Sequence, residues 1–314
     1  MSSIDNKSVF EQYYQAEYDF NTTSLKEEDI DEIKELVKEK RVNYALAPIG
    51  EKIFEWIAEQ NQDIHFELVD LDSEKIDGML YIPRTGLDKA YIILNAKKPL
   101  INQIFMAAHE YYHYIKDYTQ IKETPYICNF NALENVNEKR ASRFAAEFLL
   151  PEEALRNEIR AFRKKMNGIE QSKMTFEDYA VVSILLTVKY QIPLKAVMYR
   201  LYEEGYISNI EKYIDNYKFI KDILKEVKIF KRPVEHLYSS ENHHFDVNSL
   251  IYRQMRNAYI SGLASREEIM KDADFLNLDI QMVTDFFDEI QETDEEDSDT
   301  DLVDVIKELW RDEG

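Results

Sequence analysis

A mainly helical α+β fold is what this sequence predicts: a small antiparallel three-stranded sheet packed on a helix pair, followed by an all-helical C-terminal region. Three observations carry that expectation. Gly and Pro number only seven each in 314 residues, too few turn-formers for a β-sandwich. Three short runs, HFELVD (65–70), GMLYIP (78–83) and KAYIILN (89–95), concentrate the strand character in one stretch, the last two being rich in β-branched and aromatic residues. Most of the remaining chain shows apolar residues at helical spacing.

Taken in order, residues 1–23 are polar and mixed and read as an N-terminal arm. Ser24 with Glu27 forms a capping-box pattern that opens a helix to about Lys40. Pro48 opens a second helix to about Gln60, with Ile53, Phe54 and Ile57 on one side. The three strand runs follow, with Thr85 to Asp88 as a hairpin connection. Pro99 then suits a helix start, and Leu100, Ile101, Ile104, Phe105, Ala108, Tyr112 and Ile115 recur at helical spacing. A loop is expected from about Asp117 to Leu133, then a helix from about Asn135 to Leu150, stopped by Pro151. Helices over 175–190 and 194–204 are joined by Gln191-Ile192-Pro193, with Gly205 as a stop. Residues 210–231, 246–262 and 279–290 read as helical, and Ser265 with Glu268 caps another helix starting near Arg266. Residues 291–301, QETDEEDSDTD, are an acidic linker before an amphipathic terminal helix carrying Leu302, Val305, Ile306, Leu309 and Trp310. The expected domains are therefore 24–208, 209–290 and the 291–314 tail.

The net charge is −22. So acidic a surface repels phosphate backbones and anionic bilayers, which argues against general nucleic-acid or membrane binding. The 175–205 pair has the outline of a helix-turn-helix, but its second helix offers only Lys195 and Arg200 as cations, so two packed core helices are the better reading. A single cysteine, Cys128, excludes an internal disulfide, and the N-terminus lacks a signal-peptide pattern. A cytoplasmic location is expected.

The chemistry concentrates in MAAHEYYHYIKDY, residues 106–118. On a helix, residues four apart share a face about 6 Å apart along the axis, so His109 and His113 can point at one ion. Zn²⁺ accepts neutral imidazoles and in a catalytic site usually takes three protein ligands. Glu110, turned by one residue step, does not easily reach the same ion but can act as a base toward water. Apolar flanks put the motif on a buried helix, where two histidines and a carboxylate are costly without partners. The third ligand is sought in ENVNEKRASRFAAEFLLP, residues 134–151, where Glu138, Ala141, Ala145 and Leu149 share one face and the alanines permit close approach. Glu138 is the choice. Glu134 and Glu147 are rivals, and Glu147 points away from the alanine face.

HEYYH followed by Glu138, Ala141, Phe144 and Ala145, running into Glu147 to Pro151, resembles the ImmA/IrrE family of metallopeptidases. That family pairs HExxH with a helix reading roughly E-x-x-A-x-x-FA-x-x-LL-x-P. The likeness covers about residues 45–208, including the strand ending in YIILN and the segment YQIPLKAVMYRLYEEGYIS (190–208). It implies a zincin-like helix pair with a gluzincin-like site. His109, His113 and Glu138 would be Zn²⁺ ligands and Glu110 the catalytic base of an endopeptidase. It also implies a protein substrate, often a helix-turn-helix repressor of phage or mobile elements. The chain departs from the pattern at Tyr112, where Gly is frequent, and at Ile192-Pro193, where Val-Ser is usual. The competing reading is a non-catalytic regulatory protein that uses the same scaffold and its helical C-terminal half as an interaction platform. A second oxyanion donor could come from a tyrosine or histidine after the motif, or from His243 and His244.

Overall fold

A computed structural model describes residues 25–239, apart from 62, 72–75, 84–88, 124–135 and 167, together with parts of 255–287. The chain divides into two compact units, the second spanning His243–Asp299. The mainly helical α+β class is what the structure has.

Helix α1 (Glu27–Lys40) begins two residues later than the Ser24–Glu27 pattern implies, and the Lys26 amide donates to the Asp29 carboxylate at 3.4 Å. A 3-10 turn (Gly50–Lys52) runs into α2 (Ile53–Gln60). Strands β1 (Ile64–Val69), β2 (Gly78–Tyr81) and β3 (Ala90–Asn95) coincide with the three β-rich runs. Their arrangement corrects the antiparallel expectation. The order is β1-β3-β2, with β2 antiparallel to β3 but β1 parallel to it, Ile64 opposite Ala90 and Val69 opposite Asn95. The physical reason lies in β3, whose Ala90, Ile92 and Leu94 are wholly buried. It takes the centre, the position that covers most apolar surface. The four-residue β2, with Tyr81 half-exposed, is left at an edge.

Helix α3 (Leu100–Lys116) packs on this sheet, and its residues from Leu100 to His113 are all buried. Gly78 permits the close approach: a Cβ there would lie 3.1 Å from the Ile93 carbonyl and 3.6 Å from Met106 Cβ. Where a loop was expected after Asp117, a short helix α4 (Tyr118–Glu123) appears. Helix α5 (Val136–Leu149) then packs along α3. Ala108, Ala141 and Ala145 are fully buried, and the Tyr112 ring packs tilted against Phe144 at 5.4 Å between ring centres. Tyr112, where the family pattern often has Gly, thus packs between the two helices.

Helix α6 (Glu152–Lys165), not assigned in the sequence reading, buries Leu155, Ile159 and Phe162 at spacings of four and three. Its N-terminus is held by Glu147, whose Oε1 accepts from the Glu152 amide at 2.7 Å. Helices α7 (Phe176–Tyr190) and α8 (Leu194–Glu203) meet at 119°. Arg200 is fully buried and Lys195 lies over the Tyr217 ring, so neither is displayed for DNA. The segment 210–238 is broken into α9 (Ile210–Asp215), α10 (Tyr217–Glu226), a 3-10 turn and α11 (Lys231–Tyr238). It belongs to the first unit. The reason is packing: Ile220, Ile223, Leu224, Val234, Leu237 and Tyr238 are buried, with α10 against α7 and α11 against α3. Among the described residues no single helix is long and apolar enough to cross a membrane.

The second unit has its own small core of Met255, Ile269, Ala273, Val283 and Phe287. Its helix α12 (Arg266–Phe275) opens on the expected Ser265–Glu268 capping box, the Ser265 amide donating to Glu268 at 2.8 Å. The 1–23 arm, Ser24, Cys128, Glu134, His243, His244 and the 291–314 tail lie outside the described residues.

Gly50 and Gln191 both have positive φ, 48° and 52°. Gln191 Oε1 accepts from the Glu51 amide at 2.7 Å, and a Cβ on Gly50 would stand 2.2 Å from that oxygen. Gly50→Ala is expected to cost about 1–3 kcal/mol, through left-handed strain and loss of that hydrogen bond, and to lower the thermal melting point.

Candidate metal centre

Three buried side chains converge between α3 and α5. His109 and His113 are one turn apart on α3, and Glu138 sits in the first turn of α5. His109 Nε2 is 3.2 Å from His113 Nε2 and 3.2 Å from Glu138 Oε2, and His113 Nε2 is 3.4 Å from Glu138 Oε1. Donor atoms around a tetrahedral zinc with bonds of 2.0–2.1 Å stand about 3.3–3.4 Å apart, so this spacing fits one such ion. Among the described residues this is the one group of three His, Cys, Asp or Glu side chains placed to hold a metal.

The opposite nitrogens are also engaged. His113 Nδ1 lies 2.7 Å from Asp117 Oδ2, and His109 Nδ1 lies 3.4 Å from Ser142 Oγ. Burial opposes a charge on His113, but hydrogen bonds to Asp117 and Glu138 and the nearby Glu110 carboxylate outweigh it and hold its pKa up at about 10. Burial likewise opposes the Glu138 carboxylate, yet the two histidines hold its pKa well below the usual carboxylate range. Without metal, then, the centre shares protons among its own groups. A metal bound here would displace those protons, because a carboxylate and neutral imidazoles are the forms that ligate one.

The sequence reading named His109, His113 and Glu138, and the structure brings these three together. Glu110 is fully buried on the same helix and stays out of the group, close enough for its charge to act on His113. Glu147 is buried elsewhere, 2.7 Å from Arg143 Nη1 and 2.8 Å from Arg200 Nη2. Asp117 and Ser142 were missed. Each stands four residues after a group of the site, Asp117 after His113 and Ser142 after Glu138, so the helical step that revealed the histidine pair points to both.

Asp77, just before β2, pairs with Lys98 before α3 at 2.6 Å, both buried. Burial pushes the Asp77 carboxyl up, against the pull of Lys98 and His109. Helix α1 ties into both site helices through Glu32 with Lys116 and Asp29 with Arg140.

Residues 59–202 match the Peptidase_M78 family model, described as the IrrE N-terminal-like domain. The match covers just under half of the chain. It takes in the whole sheet, both helices of the metal centre and the α7–α8 pair, but not α1. A search of curated proteins finds no match.

Proposed function

We propose that this chain, whose residues 59–202 belong to the ImmA/IrrE family of metallopeptidases, is a zinc-dependent endopeptidase. The observation that carries the reading is the convergence of His109, His113 and Glu138 at the spacing of a tetrahedral zinc site. These three side chains hold the ion, and Glu110 is the general base. A bound zinc ion supplies Lewis acidity, which acidifies water and polarises an amide carbonyl. The Glu110 carboxylate takes the proton from the attacking water and returns it to the leaving amine. The carboxylate of Glu138 complements the two neutral imidazoles, so the donor set is one suited to zinc rather than to magnesium or calcium, which prefer oxygen ligands.

The substrate is a protein. The resemblance to the ImmA/IrrE family favours a helix-turn-helix repressor, in a circuit of phage or mobile-element control, with cleavage in the cytoplasm. Protein purified without chelator is expected to carry about one zinc per chain by elemental analysis, and His109→Ala and Glu138→Ala to carry none. The loaded protein should cut a helix-turn-helix repressor substrate into two fragments by mass spectrometry. A folded wild type that takes up no zinc would overturn the metallopeptidase reading.

A further inference from the structure

Asp117 is the first residue beyond α3, and it continues the four-residue step of His109 and His113 along one face. Its Oδ2 faces His113 Nδ1 at 2.7 Å, while its Oδ1 accepts from Asn137 Nδ2 at 3.4 Å. Asn137 immediately precedes Glu138 on α5. One carboxylate thus bridges the helix that carries both histidines and the helix that carries the glutamate. The side chain is only 11% exposed, so water competes little for these contacts.

A carboxylate can only accept, so the proton between the two groups belongs to His113 Nδ1. In the neutral ring, Nε2 is then left as the lone-pair nitrogen, and Nε2 is the atom aimed at His109 Nε2 and Glu138. We propose that Asp117 is a positioning residue of the metal centre. It fixes the tautomer and ring angle of His113 and, through Asn137, the approach of Glu138. The proposal rests on the zinc reading above. His109 has a weaker counterpart in Ser142, a neutral hydroxyl 3.4 Å from its Nδ1. The charged, shorter contact at His113 is therefore the larger support of the two.

The test compares wild type, Asp117→Asn and Asp117→Ala by zinc affinity in chelator competition and by the rise in melting temperature on adding zinc. Asp117→Ala is expected to weaken zinc binding about 10–100-fold. Asp117→Asn, whose amide oxygen still accepts from Nδ1–H, is expected to lose affinity by a smaller but measurable factor. The zinc-induced rise in melting temperature should shrink in the same order. A residue serving packing alone would lower the melting points of metal-free and zinc-loaded protein together and leave chelator competition unchanged, and that result overturns the proposal. If Asp117→Ala fails to fold, undiminished affinity in Asp117→Asn overturns it instead. A wild type that binds no zinc removes the parent reading, whereas tight zinc in wild type and both variants removes only the role of Asp117.

Discussion

Glu110→Gln is expected to keep about one zinc per chain and to cut repressor cleavage by roughly 10²–10⁴-fold, the range by which a positioned acid–base group accelerates proton transfer. The side chain is fully buried and lies outside the three residues proposed to hold the ion, so zinc occupancy is not expected to depend on it. Gln has nearly the same size and shape, and the packing around α3 is undisturbed. What the substitution removes is the basic carboxylate. The variant therefore separates the two halves of the proposal, because His109→Ala loses activity by losing metal and Glu110→Gln loses it with the metal in place. Elemental analysis and fragment formation, measured on one preparation, check the prediction. Full cleavage by a zinc-loaded Glu110→Gln would transfer the base role to another group. Loss of zinc in that variant would put Glu110 among the ligands.

The parts of this molecule that were legible in the sequence are those whose signals are local. His109 and His113 share a face because of a four-residue step. The alanines at 141 and 145 announce a helix that packs closely, and the strand runs betray themselves by β-branched and aromatic residues. Helix α6 was equally legible, since Leu155, Ile159 and Phe162 form a stripe with Glu152 and Glu153 at the start and Arg163 to Lys165 at the end. Asp117 belongs to the same class. The sheet order does not. The apolar run in β3 shows that it is a buried strand, but which neighbour it pairs with, and in which direction, is set by contacts between strands distant in sequence and not by its own residues. Likewise 210–231 reads as helical, while its breaks at Asn216 and Val227 and its packing against α7 follow from tertiary structure.

Arg200→Ala is expected to destabilise the protein by about 3–5 kcal/mol, the cost of breaking a buried ion pair by removing one partner. Arg200 is fully buried. Its guanidinium reaches Glu147 at 2.8 Å, Glu204 at 2.9 Å and Glu203 at 3.1 Å, and its Nε donates to the Leu150 carbonyl at 3.3 Å. Arg143 meets the same three carboxylates, and Lys34 reaches Glu204 at 3.5 Å and Glu152 at 2.9 Å. Arg200 and Arg143 thus share Glu147, Glu203 and Glu204, with Lys34 added at Glu204, and deleting Arg200 leaves three carboxylates crowded around fewer cations in a largely buried site. Glu147 also caps α6, so the disturbance spreads from α8 through α5 to the helix that follows. Because Glu147 and Glu138 lie on the same helix, the site end of α5 feels the change only through its backbone, and zinc affinity should fall far less than stability does. Urea unfolding with and without zinc checks this. The loss should appear equally in both conditions, and a shift below about 1 kcal/mol would show that the network is no more than neutral to stability, as buried charge clusters sometimes are.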